Sequence, residues 1–302
     1  MTPARTASII IRTKNEERGI AATLDGVFAQ SVPPHEVIVV DSGSVDRTLA
    51  IAQRYPVRVV HLPPQQWGYG RALNVGAAAA TGEILVCLSA HCPAASIDWL
   101  ASLLRHFDDP TVAGVWGPGI RPGRPLPQPE PPSRQEPGSY DPHNRLWGLS
   151  NGNSALRRSL WQEFAFDEAL PAAEDKAWGR EALARGYCIV HDPAAVVWHE
   201  RHGVLAAYRR ERAVNEGFAI MFPDVHLSRS VVLARVRSPA LRWLSRHLSM
   251  RDGRALWHDV RLLPSTIAAL IGALVVRRRV RSRGGSRGGT GRPRTRGRTR
   301  RR

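Results

Sequence analysis

Short apolar runs alternate with helix-like segments over the first 120 residues of the chain. Four of these runs are continuous and rich in β-branched residues, which is typical of strands buried on both faces of a sheet. They cover residues 8–13, 36–41, 57–62 and 83–88, and the helix-like segments between them cover 17–30, 46–54 and 70–80. The alternation predicts an α/β fold with a Rossmann-like, mostly parallel, doubly wound sheet and helices on both faces.

The rest of the chain is less regular. Residues 117–142 are dense in proline and glycine, which excludes a helix or a central strand and predicts a loop. A helix is expected over 175–185, ended by Gly186, then a strand within 188–200 and a helix over 203–220.

Polar residues follow three of the predicted strands at the point where each strand ends. They lie at 12–16 after the first strand, at 41–44 after the second and at 89–91 after the fourth. Because the carboxyl ends of parallel strands meet at one edge of a sheet, these loops are expected to converge on one crevice. Ligands of doubly wound sheets bind at that edge, so the crevice is the first candidate for a site.

The charge of the chain is less informative than its total suggests. The formal net charge is +17, but residues 277–302 contain thirteen arginines and no acidic residue, so the first 276 residues carry only +4. The tail has almost no apolar content and is expected to be disordered. It could bind RNA nonspecifically through phosphate contacts, although it lacks the aromatic residues of a base-stacking platform.

Cysteine usage and the start of the chain favour a reducing compartment. Three cysteines (Cys87, Cys92, Cys188) without a CxxC pair give neither a disulfide framework nor a zinc ribbon. No signal-peptide pattern precedes the first apolar run. We therefore expect a cytoplasmic protein.

One apolar stretch could lie against a membrane. Residues 262–276 are apolar, but fifteen residues with an internal proline fall short of the roughly 20 that span a bilayer. The three arginines that follow would hold such a stretch peripherally on the anionic inner face of the cell membrane. A core-packing helix with a solvated basic end is the alternative interpretation.

Four blocks in this order resemble family 2 glycosyltransferases of the GT-A fold: VIVVDSGSVDRT, GYGRALNVGAAAATGEILVCLSAHC, SNGNSALRR and PAAEDKAWGREALARGY. The likeness runs from residue 8 to about 202, and the nearest subgroup resembles rhamnosyltransferase-like enzymes that build cell-surface polysaccharides or glycolipids. It implies an inverting transfer of a hexosyl or deoxyhexosyl group. The donor would be a nucleotide-diphosphate sugar and the acceptor a hydroxyl of a polysaccharide or a lipid-linked molecule.

The resemblance implies a set of donor-binding residues at the crevice. These are Arg12, Thr13, Asn15, Glu16, Asp41, Ser42, Arg71, Asn74, Ser89, Ala90, His91, Asn153 and Trp178. Asp41 would bind the base, although it could also cap the helix that begins near residue 46. Arg71 and Asn74 open a helix and would face the diphosphate. Trp178 could stack on a sugar ring of the acceptor or belong to the core.

Ser89, Ala90 and His91 stand where the family carries its metal-binding DxD motif. The paired carboxylates of that motif hold Mg²⁺ or Mn²⁺ against the diphosphate. His91 is interpreted as a metal ligand, as a direct contact to the diphosphate or as a structural residue. His199 resembles a family histidine that completes the metal or diphosphate site, whereas His202 has a weaker claim because Arg201 occupies the matching position.

Glu174 and Asp175 are the candidate catalytic residues. An inverting transfer needs a base that accepts the proton of the attacking hydroxyl, and the resemblance assigns this role to Asp175. The alternative is that both acids only favour the start of a helix.

The resemblance also suggests how the chain is divided. Residues 1–222 would form the transferase domain, with a nucleotide-binding half at 1–120 and an acceptor half at 143–222. Residues 223–280 would add a helical, membrane-associating segment before the tail at 281–302. Two other functions stay open, namely a nucleotide-sugar-binding protein without catalysis and an RNA-binding accessory role of the tail. A P-loop kinase is disfavoured because no GxxxxGK[ST] block follows a strand.

Overall fold

The structure is a computed structural model that describes residues 5–139, 147–199 and 204–222. No helix within these ranges is both long and apolar enough to cross a bilayer. The predictions for residues 223–280, for the apolar stretch at 262–276 and for the tail at 281–302 lie outside the described residues.

Ten strands and seven helices lie in the described part of the chain. The strands are β1 (Ala7–Thr13), β2 (Glu36–Asp41), β3 (Arg58–His61), β4 (Ile84–Ser89), β5 (Val112–Trp116), β6 (Gly119–Ile120), β7 (Ser133–Gln135), β8 (Asn153–Arg157), β9 (Cys188–His191) and β10 (Val197–Trp198). The helices are α1 (Ile20–Phe28), α2 (Thr48–Ala52), α3 (Tyr69–Ala79), α4 (Trp99–Leu104), α5 (Arg158–Glu163), α6 (Glu174–Ala184) and α7 (Val204–Met221).

Eight of the strands form one sheet in the order β3-β2-β1-β4-β8-β5-β9-β7. Strands β1 to β4 are parallel to one another, and β5 is parallel to β9. Strands β8 and β7 run antiparallel to their neighbours. The prediction of a mostly parallel α/β sheet is confirmed, with β8 inserted between its two parallel parts.

The sheet is buried on both faces because its central strands carry apolar side chains on both sides. Along β1, Ile9 and Ile11 point into one core cluster with α1 and α4, whereas Ile10 points into the other with α3 and α6. All three side chains have no exposed surface. The alternation follows the two-residue period of a strand and explains why the first strands read as continuous apolar runs.

Two sequence-based expectations for the second half were wrong in part. The single strand expected within 188–200 is two strands, because Asp192 and Pro193 form a turn after β9. The Asp192 carboxylate accepts a hydrogen bond from the Ala194 N–H at 2.9 Å, and Pro193 has no N–H to continue a ladder. Strand β10 then pairs with β6 in a separate two-stranded sheet.

The proline-rich segment 117–142 is likewise not a loop throughout. It contains β6, and it contains β7, which pairs with β9 at the outer edge of the main sheet. An edge position is the place where a proline-rich neighbourhood is tolerated, because only one side of the strand needs hydrogen-bond donors. The exclusion of a central strand from this segment therefore holds.

Helix α3 approaches the sheet closely at Gly76. A Cβ atom at this position would clash with the Cγ2 atom of Ile10 and stand 3.0 Å from the Cγ2 atom of Val40. Both isoleucine and valine are β-branched and stiff, so neither side chain can turn away at low cost. The absence of a side chain at position 76 lets the helix carry Tyr69 and Arg71 to the sheet edge.

We expect Gly76→Ala to destabilise the protein by about 1–3 kcal/mol, since overpacking a well-filled core outweighs the gain in helix propensity. The measurement is the midpoint of urea unfolding followed by circular dichroism. Ala78→Ser on the exposed side of the same helix is the matched control and should change stability by about 0.5 kcal/mol or less. Equal midpoints for the two variants would contradict the close approach.

Candidate active site

The candidate site lies at the edge of the sheet where β1, β2 and β4 end. The three strands are in register there, with Thr13 beside Asp41 and Arg12 beside Ser89. Because β8 is antiparallel to β4, the loop before β8 reaches the same edge. The Ser89 N–H donates a hydrogen bond to the Gly152 carbonyl at 3.2 Å and joins that loop to the end of β4.

Asp41 shapes the loop that follows β2. Its side chain is 2% exposed and accepts hydrogen bonds from the N–H groups of Gly43 at 3.0 Å and Ser44 at 3.2 Å. This Asx-type turn does not cap α2, because Asp46 bonds the first N–H of that helix at 3.0 Å. The role of Asp41 and Ser42 in binding a base stays a prediction, and the turn is compatible with it.

The loop after β1 is fastened to the same turn. Asn15 adopts a left-handed conformation with φ of 56°. Its N–H donates to the Ser44 hydroxyl at 2.9 Å, and its side-chain oxygen accepts from the Val45 N–H at 2.9 Å. The Thr13 hydroxyl is buried and makes no hydrogen bond to any described residue. A buried hydroxyl without a partner is costly, so this edge suits a polar ligand.

Asn74 is a correction to the sequence-based prediction. Its amide nitrogen donates to the Phe166 carbonyl at 2.8 Å and to Glu168 at 3.0 Å, and its oxygen accepts from Trp161 Nε1 and the Phe166 N–H, both at 3.0 Å. These four bonds use the full capacity of the side chain. Asn74 therefore fastens the 161–168 segment to α3 and has no bond left for a diphosphate.

Arg71 takes part in the same attachment. Its Nη1 atom pairs with Glu168 Oε2 at 2.9 Å, and its Nη2 atom donates to Gln66 Oε1 at 3.1 Å. The side chain is partly exposed. A contact between Arg71 and a diphosphate stays a prediction, and it would have to compete with the Glu168 carboxylate.

Two further candidate residues are structural: for Trp178 the core interpretation holds over stacking on a sugar, and the donor contact expected for Asn153 is a correction. Trp178 is 2% exposed, stacks on Phe164 with ring centroids 5.0 Å apart, and donates from Nε1 to the Phe164 carbonyl, so it belongs to the core and cannot line a pocket. Asn153 is also 2% exposed. Its oxygen accepts from Trp99 Nε1 at 2.8 Å and its nitrogen donates to the Ala195 carbonyl at 2.6 Å.

His91 and His199 are 108 residues apart in sequence and meet at the crevice. Their Nε2 atoms are 3.3 Å apart, and their rings stack with centroids 5.2 Å apart. On its other side, His91 Nδ1 lies 3.0 Å from Glu16 Oε1. The Cys92 Sγ atom and one nitrogen of each histidine all lie within 4.8 Å of one another. Sequence analysis did not assign Cys92 to the site.

The backbone around these residues is fixed by hydrogen bonds. The Cys92 N–H donates to the Ser89 carbonyl at 3.0 Å, and the Ala90 carbonyl accepts from the Thr23 hydroxyl at 2.9 Å. The His199 N–H donates to the Ile120 carbonyl at 2.7 Å, which places His199 at the end of β10. Ala90 is 1% exposed, so only its backbone could contribute to binding.

The chemistry of this cluster differs from that of a DxD motif. Mg²⁺ prefers carboxylate and other oxygen ligands, whereas imidazole and thiolate suit first-row transition metals. Ser89 and His91 supply no carboxylate, and the Glu16 carboxylate already contacts His91 Nδ1 at 3.0 Å. Burial raises the pKa of Cys92 to about 12, so the thiol stays protonated unless an ion displaces the proton. The residues present therefore do not fit Mg²⁺ and do fit a softer ion.

Glu174 and Asp175 begin α6, immediately after Ala173 in a left-handed conformation with φ of 70°. Helix α7 packs directly against this turn. The approach is so close that a Cβ atom at Gly217 would clash with the Ala172 carbonyl. Only a glycine lets the two backbones come so close. Helix α7 thus fixes where α6 starts.

The two carboxylates point to different environments. Glu174 is 4% exposed, lies with Oε1 3.5 Å from Arg12 Nη1 and accepts a hydrogen bond from Asn151 Nδ2 at 3.3 Å. Asp175 is partly exposed, and its Oδ2 atom accepts from the Asn151 N–H at 3.1 Å. Burial and then the Asp175 charge raise the pKa of Glu174, while Arg12 opposes the shift.

A continuous set of contacts joins Asp175 to His91. Asn151 binds both acids, and the adjacent Gly152 carbonyl accepts from the N–H of Ser89, two residues before His91. The loop before β8 therefore contacts both the start of α6 and the end of β4. The structure brings together the loops that contain Arg12, Thr13, Glu16, Ser89, His91, Asp175 and His199.

Sequence reasoning missed Asn151 and two aromatic residues. Tyr69 lies under the Arg12 guanidinium, 5.4 Å from the ring centroid, and Trp67 packs edge-on against Tyr69 at 4.8 Å. Trp67 is 47% exposed. A large aromatic residue in a polar loop before a helix was the signal available in the sequence.

Comparison with known proteins adds a family match. The model of glycosyl transferase family 2 matches residues 8–164. The O-antigen chain rhamnosyltransferase RfbN of Salmonella typhimurium is 24% identical over 218 residues, which cover 65% of this chain and 66% of RfbN. The pre-mycofactocin glycosyltransferase of Mycobacterium tuberculosis is 26% identical over 266 residues, which cover 83% of this chain and 54% of that protein. The chain thus spans less than two thirds of these relatives.

Solved structures show the same fold at low identity. A mannosyltransferase from Pyrobaculum calidifontis, in complex with GDP-Man and Mn²⁺, is similar with a TM-score of 0.62 and 21% identity over 91% of this chain and 88% of that one. TarS of S. aureus, residues 1–349 in complex with UDP-GlcNAc, has a TM-score of 0.54 and 20% identity over 92% of both chains.

The raised pKa of Glu174 predicts a specific pH dependence of stability. The folded protein holds the proton to higher pH than the unfolded chain, so this contribution is full below about pH 4.5 and is lost as the pH rises through the folded-state pKa. Glu174→Gln keeps an acceptor for Asn151 and removes the titration. The unfolding midpoint of the variant relative to the original protein should therefore increase as the pH rises from 4.5 toward neutrality.

Ala184→Ser, at an exposed position on the same helix, is the control because it changes no ionisable group. Its midpoint should differ from that of the original protein by the same amount at every pH. A flat difference for Glu174→Gln as well would mean that Glu174 does not hold its proton in the folded state.

Proposed function

Because the chain belongs to glycosyl transferase family 2, we propose that it transfers a hexosyl or deoxyhexosyl group, with inversion, from a nucleotide-diphosphate sugar to a hydroxyl of a carbohydrate or lipid-linked acceptor. The family match covers just over half of the chain. The relatives named for O-antigen rhamnosyl transfer and for pre-mycofactocin glycosylation support a role in glycan assembly. We assign the transferase domain to residues 1–222.

One observation carries this proposal: the loop before β8 contacts Asp175 through the Asn151 N–H and contacts Ser89, two residues before His91, through the Gly152 carbonyl. An inverting transfer needs its base on one side of the sugar and its leaving group on the other. A sheet edge with the Asp175 carboxylate at one end and hydrogen-bond donors near His91 at the other would meet that need. The sugar would lie between the two groups.

Asp175 suits the role of base better than Glu174 does. A base must reach the acceptor hydroxyl, and Asp175 is partly exposed whereas Glu174 is buried against Arg12. In the proposed step the hydroxyl oxygen forms a bond to the anomeric carbon while the bond from that carbon to the diphosphate oxygen breaks. The hydroxyl proton passes to Asp175, and the electron pair leaves with the nucleoside diphosphate.

Glu174 acts as a positioning residue for Arg12. The guanidinium is held between the Glu174 carboxyl group and the face of Tyr69, at 3.5 Å from Oε1 and 5.4 Å from the ring centroid. Both contacts limit its rotation, so its charge stays directed at the crevice. A fixed cation near a diphosphate stabilises the negative charge that develops on the leaving group.

The nucleotide would lie along the loops after β1 and β2. Thr13 offers a buried hydroxyl without a described partner, and Asp41 lies beside it in register. The Gly43 backbone in the same loop has φ of 85°, a conformation that favours glycine and allows the tight turn around Asp41. These features support the assignment of the base and ribose to this side of the crevice.

A divalent cation, when bound, would neutralise charge on the diphosphate, and His91 and His199 are the described residues that would hold it. We interpret Ser89-Ala90-His91 as standing in place of the DxD motif. His91 would then contact the diphosphate either through the ion or directly as a hydrogen-bond donor. The structure of the mannosyltransferase neighbour is a complex with GDP-Man and Mn²⁺, which supports cation and nucleotide-sugar use in this fold.

Asp175→Asn should abolish transfer while leaving donor binding intact. General-base removal costs about 10²–10⁴-fold in rate, whereas the asparagine keeps the shape of the side chain. The measurement pairs release of nucleoside diphosphate, followed in a screen of UDP-, GDP- and dTDP-sugars, with thermal shift by the same donors. Glu181→Gln on the exposed face of α6 is the control and should keep the rate.

Two results would contradict the proposal. Full activity of Asp175→Asn would remove the base from this position. Donor binding without any release of nucleoside diphosphate or transfer by the original protein would favour the nucleotide-sugar-binding function instead.

A further inference from the structure

The two imidazoles at the crevice are spaced as ligands of one metal ion. The Nε2 atoms of His91 and His199 are 3.3 Å apart. Two ligands of a tetrahedral ion with metal–nitrogen bonds of 2.0–2.1 Å stand about 3.3 Å apart, so an ion can be held between these nitrogens with little movement of either ring. The spacing also allows one ring to donate a hydrogen bond to the other, and the ion would replace that proton.

Glu16 fixes the orientation that such a site needs. Its Oε1 atom lies 3.0 Å from His91 Nδ1. In the metal-bound form Glu16 would accept the proton of that nitrogen, so that Nε2 binds the ion. A carboxylate behind a ligating histidine sets the tautomer and raises its basicity. This contact gives Glu16 a different task from the nucleotide contact that its position in the sequence suggested.

The Cys92 sulfur is a third possible metal ligand, and like the imidazole nitrogens it suits transition-metal ions. Its Sγ atom and the nitrogens of both histidines lie within 4.8 Å of one another, and the side chain is buried. The turn that carries it is fixed by the hydrogen bond from its own N–H to Ser89. A nitrogen–nitrogen–sulfur set is typical of transition-metal centres and is avoided by Mg²⁺.

We propose that His91, His199 and Cys92 form a three-donor site for a transition-metal ion of the Zn²⁺ class, with Glu16 as the positioning residue of His91. Three protein ligands leave one tetrahedral position open, as in catalytic metal sites. The ligand at the open position would be a diphosphate oxygen of the donor, and this part of the inference rests on the proposed function. The site itself needs only the residues of this chain.

Binding of the ion moves two protons. The Cys92 thiol loses its proton to solvent, because a coordinating thiol binds as thiolate. His199 keeps one proton, which must reside on Nδ1 so that Nε2 can bind the ion. No change of oxidation state is involved.

The site predicts an order of affinity that differs from that of a carboxylate-rich centre. Zn²⁺ and Co²⁺ should bind more tightly than Mn²⁺, and Mg²⁺ should fail to displace them even in large excess. Co²⁺ is the probe of choice, because its visible absorption reports a tetrahedral environment and a near-ultraviolet charge-transfer band reports a thiolate ligand.

The experiment titrates Co²⁺ into the full chain after treatment with a chelator. We expect one ion per chain, visible bands of tetrahedral intensity and a thiolate charge-transfer band, all reversed by one equivalent of Zn²⁺ and unaffected by Mg²⁺. Cys92→Ser should lose the charge-transfer band and keep weaker binding. His199→Ala should lose binding by about 100-fold or more, and Glu16→Gln should weaken it about 10–100-fold.

Cys188→Ser is the matched control, because Cys188 is also buried but lies on β9 beside Arg134. It should keep the charge-transfer band. Circular dichroism of each variant distinguishes loss of the site from loss of the fold, and the competition of Zn²⁺ with Mg²⁺ in the unmodified chain needs no variant. A charge-transfer band that survives in Cys92→Ser, or displacement of Co²⁺ by Mg²⁺, would overturn the proposal.

Failure of the metal site and failure of the transferase function give different results. Transfer of a sugar by a chain that binds no Co²⁺ overturns the metal site and leaves the proposed function standing. A normal Co²⁺ spectrum without binding of UDP, GDP or dTDP supports the metal site and overturns the assignment of its fourth ligand to a diphosphate.

Discussion

The hydrogen bond from the Ser89 N–H to the Gly152 carbonyl connects the two halves of the candidate site. It exists because β8 runs antiparallel beside β4, which returns the chain to the edge where the parallel strands end. Without this reversal, the acidic residues at the start of α6 and the imidazoles beyond β4 would have no shared surface. Sheet topology therefore constrains the chemistry more than any single side chain does.

The site combines groups that are fixed with groups that can exchange partners. Glu174 and Asn151 are buried, and their contacts with each other and with the partly buried Arg12 keep charge in place in a region of low dielectric. Asp175 and the histidines lie closer to solvent. This arrangement suits a reaction in which substrates arrive and leave while the electrostatic surroundings stay constant.

The sequence allowed the first half of the fold to be predicted well, because β1, β2 and β4 are buried on both faces and each appears as an unbroken apolar run. It also allowed the loops at the sheet edge to be located. The errors at Asn74 and Asn153 share one cause. Each of these side chains is used up by partners far away in sequence, such as Phe166 for Asn74 and Trp99 for Asn153, and a local pattern carries no trace of such partners.

The pairing of His91 with His199 illustrates the opposite case. Both were candidates on their own, yet the 3.3 Å spacing and the contact with Glu16 depend on β10 leaving the main sheet and pairing with β6. The sequence suggested a continuous strand there. Only the break at Asp192 and Pro193 redirects the chain so that His199 reaches the crevice.

The close contact between Gly217 of α7 and the Ala172 carbonyl has a mechanical consequence. A helix packed backbone to backbone cannot slide without pushing the turn that precedes Glu174 and Asp175. A force that displaces α7 would therefore also displace Glu174 and Asp175.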